Sequence, residues 1–311
     1  MQKVLITGIN GFVGKHLISG FKDSEIVGLT RADSSETESA VRYVSGDILD
    51  KERIEAIIQD ENPSIILHLA ALTSPSESLK DPIGTLNNNI QGQLNIFEAI
   101  RNLDLLSTKI LTVSSAEVYG SVDESELPIS EKSELRPNTP YGVSKVAQDL
   151  LGYQYFVAYG VQNIRVRPFN HIGPGQSDKF VVSQFAKQIA MIEKGQQEPI
   201  VKVGNLSPKR DFTDVRDIVN AYRLIMQSGK IGEVYNIGSN KSYAISEILD
   251  ILSSFSDIEI SVEVDANLVR KVDAIDIRCD YNKVKNDTGW EPKIGIEKSL
   301  KDTLDYWRDI L

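Results

Sequence analysis

The first fourteen residues constrain the fold more than any other stretch. Lys3-Val4-Leu5-Ile6-Thr7 is a short apolar, β-branched run, and Gly8-Ile9-Asn10-Gly11-Phe12-Val13-Gly14 follows directly and opens a helical pattern over Gly11–Phe21. A strand that turns through glycines into a helix presents unpaired backbone N–H groups and the positive end of the helix dipole to an anion. The glycines allow a tight turn, close backbone approach to a pyrophosphate, and close packing of helix on strand. The spacing is Gly-x-x-Gly-x-x-Gly rather than the more familiar Gly-x-Gly-x-x-Gly. Its place at the first strand-to-helix turn nevertheless points to dinucleotide binding, with Gly8, Gly11, Phe12, Val13 and Gly14 as contacts.

The alternation continues. Strand-like runs occur at Ile26–Thr30, Val41–Ser45, Ser64–Leu69, Lys109–Ser114 and Asn163–Arg167, with helical patterns at Lys51–Gln59, Gly92–Leu103 and Tyr141–Tyr159. Strands separated by helices predict a parallel sheet covered on both faces, a doubly wound α/β (Rossmann) fold. After Arg167 the rhythm breaks. A Gly- and Pro-rich stretch over 168–179 precedes a helix at Phe180–Lys194, a strand at Ile200–Val203 and a charged turn at Pro208-Lys209-Arg210-Asp211. A helix at Val215–Gln227 and a strand at Glu233–Ile237 read as a return to the main sheet. The rest carries helices at Ile245–Phe255 and Ile296–Trp307 around a strand at Glu259–Val264. The expected division is therefore 1–167 plus about 212–238 as the dinucleotide-binding domain. About 168–211 plus 239–311 form a smaller, discontinuous α+β lobe over the strand C-termini, where open α/β sheets bind ligands.

The net charge of −10 argues against a broad nucleic-acid or anionic-membrane surface, so an anionic ligand needs locally placed Arg, Lys and helix N-termini. No apolar run approaches the ~20 residues that span a bilayer, and Met1–Thr7 leads straight into a strand. One cysteine, Cys279, excludes an internal disulfide and a Cys-based zinc site. The expectation is a cytoplasmic protein. No pair among His16, His68 and His171 has ligand spacing, so no metal is expected.

The second strand ends in Thr30-Arg31, and no acid appears until Asp33. An acid here would hold a ribose 2′-hydroxyl, whereas Thr30 and Arg31 suit a 2′-phosphate, which favours NADP(H) over NAD(H). A solvated surface Arg is the alternative. Asp47 after the third strand is placed to accept from an adenine amino group while Ile48 covers the ring; equally, Asp47 is placed to cap the next helix. Leu69, Ala70 and Ala71 end the fourth strand with small side chains, against which a cofactor can lie.

Tyr141 and Lys145 stand four residues apart on one helix face. Such pairs arise by chance in many helices. A neighbouring ammonium lowers a phenol's pKa from its usual ~10, so the pair makes an acid/base. Ser115 ends the fifth strand on the sheet edge that carries the glycine loop, and its hydroxyl is placed to donate to a carbonyl oxygen beside Tyr141.

Together these pieces resemble the extended short-chain dehydrogenase/reductase family over essentially the whole chain. The matching residues are the Gly8–Gly14 loop, Asp47-Ile48, Asn89–Gln93, Ser115, Tyr141-x-x-x-Lys145 and Thr288-Gly289-Trp290-x-Pro292. The resemblance implies that Tyr141 is the catalytic acid/base, that Lys145 lowers its pKa and binds the nicotinamide ribose, that Ser115 orients the carbonyl, and that Pro168 joins the cofactor contacts. Within the family, Arg167-Pro168-Phe169-Asn170-His171-Ile172-Gly173-Pro174-Gly175-Gln176, Phe180–Val182, Gly204–Leu206 and Arg210–Asp217 are similar to the GDP-4-keto-6-deoxy-mannose reductases. The implied reaction is NAD(P)H-dependent reduction of the C4 ketone of a GDP-linked 4-keto-6-deoxy sugar. Asn170, Val181, Lys187 and Glu117 are then expected at the substrate, with Arg210 and Arg270 on the diphosphate; surface pairing with Asp211 or Asp273 is the alternative for those two arginines. His171 reads as a structural or substrate-lining residue, and Trp290 and Trp307 as core of the second lobe.

Glu117 keeps a rival open. Related sugar-nucleotide dehydratases use a carboxylate at this position, but its neighbour here is Ala116, which supplies no second acid. GDP-mannose 4,6-dehydratase or a related epimerase/dehydratase is the alternative function, and a non-catalytic dinucleotide-binding regulator a minor one. The family pairs through the helices at Gly92–Leu103 and Tyr141–Tyr159. The second of these carries Leu150, Leu151, Tyr153, Tyr155 and Phe156, so a homodimer is expected.

Overall fold

Strands as apolar as Ile-Ile-Leu-His and Lys-Ile-Leu-Thr-Val need cover on both faces. The structure, a computed structural model, describes residues 2–31, 40–268 and 274–311 and supplies that cover. Its first half runs β1 (Lys3–Thr7), α1 (Phe12–Gly20), β2 (Glu25–Thr30), β3 (Val41–Ser45), α2 (Lys51–Glu61), β4 (Ile65–His68), α3 (Pro75–Ser78) and α4 (Pro82–Asn102). Next come β5 (Lys109–Val113), α5 (Pro140–Tyr159), β6 (Asn163–Pro168), β7 (Asn170–Ile172), α6 (Val181–Glu193), β8 (Ile200–Val203) and β9 (Lys209–Asp214). The remainder is α7 (Val215–Ser228), β10 (Val234–Ile237), β11 (Ser242–Ala244), α8 (Ile245–Ser253), β12 (Ser261–Val264), β13 (Asp276–Ile277), α9 (Asn282–Thr288) and α10 (Ile296–Ile310).

Seven strands form one sheet in the order β10-β6-β5-β4-β1-β2-β3, every pairing parallel. This is the doubly wound fold expected from the alternation. On one face, Leu17 of α1, the adjoining Phe21, and Ile218, Tyr222 and Ile225 of α7 pack on Val4, Ile6, Leu67 and Val166. On the other, Ile54, Ile57, Ile96, Phe97 and Tyr155 of α2, α4 and α5 pack on Leu5, Val27, Ile66 and Ile110. A separate apolar core joins α6, α8 and α10 to β8 and β9 through Phe185, Ile189, Ile248, Leu252, Leu300, Leu304 and Trp307.

Three expectations change. The turn read at Pro208–Asp211 is instead the start of strand β9, which pairs with β7, β11 and β13. Its charge hides this, because Asp211 is fully buried and accepts from the backbone of Ser239, Asn240 and Cys279. Helix α4 starts ten residues before the expected Gly92, at Pro82 with Asp81 as N-cap, although its first half is poor in helix formers. Tertiary bonds hold it: Asn89 exchanges hydrogen bonds with the backbone of Leu72 and donates to Ser144 at 2.9 Å. Trp290 is core, but of the large sheet rather than the second lobe, with its indole donating to the Asp217 carbonyl.

Candidate active site

A cavity of about 670 Å³ lies along the C-terminal edge of the large sheet, between the sheet and the second core. Three lengths of it can be built from the residues upward.

The glycine loop forms the middle. Gly8 takes a left-handed φ of 72°, and a Cβ there would lie 2.9 Å from the Ala70 nitrogen. A Cβ on Gly14 would lie 2.3 Å from the Ile9 carbonyl oxygen. Helix α1 begins behind this loop with Gly11 as N-cap and no side-chain cap, so its first N–H groups are left for a ligand. Thr7 Oγ1 accepts from the nitrogens of Leu69 and Ala70 at 3.2 and 3.1 Å, which fixes the β4 end against the loop. Gly8, Gly11, Phe12, Val13, Gly14, Leu69, Ala70 and Ala71 all line the cavity. The cradle has the shape and the donors that a pyrophosphate requires.

At one end stand Thr30, Arg31, Asp47 and Ile48. Gly92 of α4 makes room for Ile48, since a Cβ there would lie 2.5 Å from Ile48 Cδ1, and Asn95 donates to the Ile48 carbonyl at 2.8 Å. Asp47 accepts from the Leu49 nitrogen at 2.9 Å, while Asp50, not Asp47, caps α2. Arg31 is exposed.

Ser115, Glu117, Tyr141 and Lys145 line the other end, with Pro168 and Asn170. Thr139 caps α5 and Pro140 occupies its first turn, which sets Tyr141 at the helix start. Gly142 lets that start pack on the turn after Ser115, because a Cβ there would meet the Glu117 carbonyl at 2.8 Å. The Tyr141 phenol, 7% exposed, hydrogen-bonds Ser115. Lys145, 3% exposed, donates to the Val113 carbonyl at 2.8 Å, and its Nζ is 5.8 Å from the centre of the Tyr141 ring. The expected lowering of the phenol's pKa is not found. Burial pushes Tyr141 well above its ordinary value, with Ser115 opposing and the Glu117 charge reinforcing the rise. Burial also pushes Lys145 down to about 7, and its charge is not among the influences on the Tyr141 phenol. Below them His68 is buried, its ring hydrogen-bonded to Thr7 at 2.9 Å and its pKa pulled down to about 3 by burial and then by Lys145.

The roof comes from β7 and α6. His171 Nδ1 donates to the Phe169 carbonyl at 3.1 Å, and the ring stacks on Phe12 with centroids 6.0 Å apart. Phe180, Val181 and Val182 bring the N-terminus of α6 to the cavity, again without a side-chain cap. Two expected cations lie elsewhere. Lys187 pairs with Asp178 at 2.6 Å and sits over the Trp307 ring, and Arg210 is buried with Nη1 donating to the carbonyls of Lys209 and Ala274. Neither lines the cavity. Arg270 lies outside the described residues. Sequence reasoning missed Asn88, Phe212 and Tyr222 in the lining. Tyr222 in particular follows the apolar period of α7 and reads as ordinary core. Among the described residues no cluster of His, Cys, Asp and Glu fits a metal ion.

Comparison with known proteins fits this geometry. The chain matches the family model described as GDP-mannose 4,6 dehydratase over residues 5–303. It is 34% identical to GDP-6-deoxy-D-mannose reductase of Pseudomonas aeruginosa across 98% of this chain and 97% of that one. A solved structure of RMD from Pseudomonas aeruginosa complexed with NADPH superposes with a TM-score of 0.88 at 33% identity, covering 100% of both chains. UDP-glucose 4-epimerase of Thermus thermophilus in complex with NAD superposes with a TM-score of 0.88 at 26% identity, again over 100% of both chains. With its glycine cradle, Ser115 and Tyr141–Lys145 gathered on one parallel-sheet edge, the chain belongs to the GDP-mannose 4,6 dehydratase family of extended short-chain dehydrogenases/reductases.

Proposed function

We propose that the protein reduces the C4 ketone of GDP-4-dehydro-6-deoxy-D-mannose with a nicotinamide cofactor, giving a GDP-6-deoxyhexose. The observation that carries this is Tyr141 beside Ser115 in the same cavity as the glycine cradle, its phenol kept protonated by burial. A phenol with a raised pKa is a poor base but a competent donor to a developing alkoxide, which is far more basic. When bound, the cofactor supplies the hydride. Gly8–Gly14 and the start of α1 would hold its pyrophosphate, Ile48 would cover the adenine, and Lys145 would hold the nicotinamide ribose. Tyr141 protonates the oxygen at C4, and Ser115 donates to that oxygen as charge builds on it. Glu117 and Asn170 face the sugar, and the uncapped start of α6 at Val181 takes over the diphosphate role expected of Arg210 and Lys187.

Within this reading NADP(H) is preferred to NAD(H), on the strength of Arg31 at the adenosine end. The lobe built on α6, α8 and α10 carries the nucleotide sugar. The setting is cytoplasmic, in keeping with the buried free thiol of Cys279, and no helix among the described residues is long and apolar enough to cross a membrane. A homodimer forms through α4 and α5, whose outer faces expose Ile83, Val143, Leu150, Tyr153 and Val157. A monodisperse monomer by light scattering at micromolar concentration would exclude it.

Dehydration of GDP-mannose is the second reading, because Glu117 lines the cavity beside Tyr141. One experiment separates them. The protein is offered GDP-mannose alone, and separately the 4-keto-6-deoxy derivative with NADPH. Oxidation of NADPH only with the ketone supports reduction, whereas ketone formed from GDP-mannose without added reductant overturns it.

A further inference from the structure

Tyr222 lies in the third turn of α7, fully buried, and contributes to the cavity lining. Its ring packs in the core beneath the sheet edge, among Ile218, Ile225 and the strands. Its hydroxyl is different: it has no hydrogen-bond partner among the described residues. Among the described residues, the lining has only one other buried polar side-chain atom in that condition, Gln176 Oε1, and the Gln176 amide is already anchored through Nε2 to the His171 carbonyl at 2.7 Å. A buried hydroxyl with no partner is destabilising against one that is satisfied. A phenylalanine would fill the same space without that cost. Helix α7 packs against β5, β6 and β7, whose ends carry Val113, Pro168 and Asn170 to the same cavity as Tyr141, and the Tyr141 charge acts on the Tyr222 phenol.

The same cavity also presents apolar side chains, among them Phe12, Val113, Ile172 and Phe212. A nicotinamide ring suits such a surface, but its carboxamide carries a carbonyl and an NH₂ group that need partners. We propose that the Tyr222 hydroxyl would be a hydrogen-bond partner of the nicotinamide carboxamide and would fix the orientation of the bound ring. This rests on the dinucleotide reading of the glycine cradle. It makes Tyr222 a cofactor contact that discriminates the nicotinamide end of the ligand from the adenosine end.

The test uses Tyr222→Phe in the full chain, with binding and thermal unfolding rather than turnover as readouts. Two probes are used, NADPH and ADP-ribose, the second lacking the nicotinamide. The expected result has three parts: the unliganded variant melts at the wild-type temperature or higher, its affinity for NADPH falls about tenfold, and its affinity for ADP-ribose is unchanged. Equal losses for both probes, or undiminished NADPH affinity, overturn the proposal whether or not the melting temperature drops. If wild-type protein binds neither probe, the dinucleotide reading itself falls, and this inference falls with it.

Discussion

Two groups of buried polar side chains stand beside the same strands, and they treat their hydrogen bonds in opposite ways. In the first, Asp149 of α5 accepts from Arg165 Nη1 at 2.9 Å and from Arg167 Nε at 2.7 Å. Arg167 passes on to the Tyr119 hydroxyl at 2.9 Å, and Tyr119 donates to Asn236 at 2.7 Å. Asn236 donates in turn to the Ile129 carbonyl at 3.0 Å. Apart from Arg165 Nε, this chain from α5 through β6 to β10 is closed. In the second group, around the cavity, Tyr141 is held protonated, Lys145 is pushed to about 7, and Tyr222 and Gln176 keep an unpartnered atom each. The closed network fixes the position of neighbouring elements. The open one leaves its desolvation cost standing in the unliganded protein, as a surface awaiting a ligand does. The phenols make the contrast sharp, since Tyr119 and Tyr222 are equally buried and only one is satisfied.

The comparison predicts different failures in the two groups, and the largest belongs to the open one. Tyr141→Phe should lower kcat by about 10²–10⁴-fold while leaving the melting temperature within a degree or two. A loss of stability instead of activity would place Tyr141 in the architecture. Asp149→Ala should do the reverse, costing about 3–5 kcal/mol in urea unfolding because it strands two buried guanidinium groups. Unchanged stability would show that the closed network holds nothing.

Lys145 gives a smaller, pH-dependent effect with a definite sign. Its pKa falls from 10.5 in the unfolded chain to about 7 in the fold, so between these values the unfolded state binds more protons. Stability contributed at this site therefore rises with pH from about 7 to 10.5 and is lowest below 7. Lys145→Met should raise stability at pH 6 by on the order of a few kcal/mol and flatten that rise, although activity falls. A flat wild-type profile across the window would refute this. The smallest effect is at the exposed end, where Arg31→Ala should weaken NADPH by about tenfold relative to NADH, read from the ratio of their KM values. An unchanged ratio would return Arg31 to the solvated surface.

The cofactor side of the molecule was legible because its signals are local. A strand, a glycine turn and a helix start lie within twenty residues, and β-branched runs mark the strands one by one. Tyr141 and Lys145 share a helix, so their juxtaposition needs no tertiary knowledge. The second lobe was legible only in outline. Strand β9 draws its partners from segments far away in sequence, and Arg210 and Asp211 look like a surface turn until those partners bury them. The same non-local pairing buries Arg210, which donates to the Ala274 carbonyl. Tyr222 was hidden for another reason: periodicity shows that a residue is buried, but not whether its hydroxyl has found a partner.

The order of the strands has a consequence for how the protein is made. β6 and β10 are neighbours in the large sheet, yet the chain leaves after Pro168 and returns only at Val234, having laid down β7, α6, β8, β9 and α7 between them. A nascent chain that ends anywhere in that excursion carries β6 as a bare edge, with the Asn236 end of the closed network missing. Tyr222 arrives inside the same excursion. Cutting the gene between the two lobes would thus yield a sheet with an open flank rather than a free-standing nucleotide-binding half. Synthesis must pass Tyr222 before the open cluster can be complete, and β10 before the closed one can be.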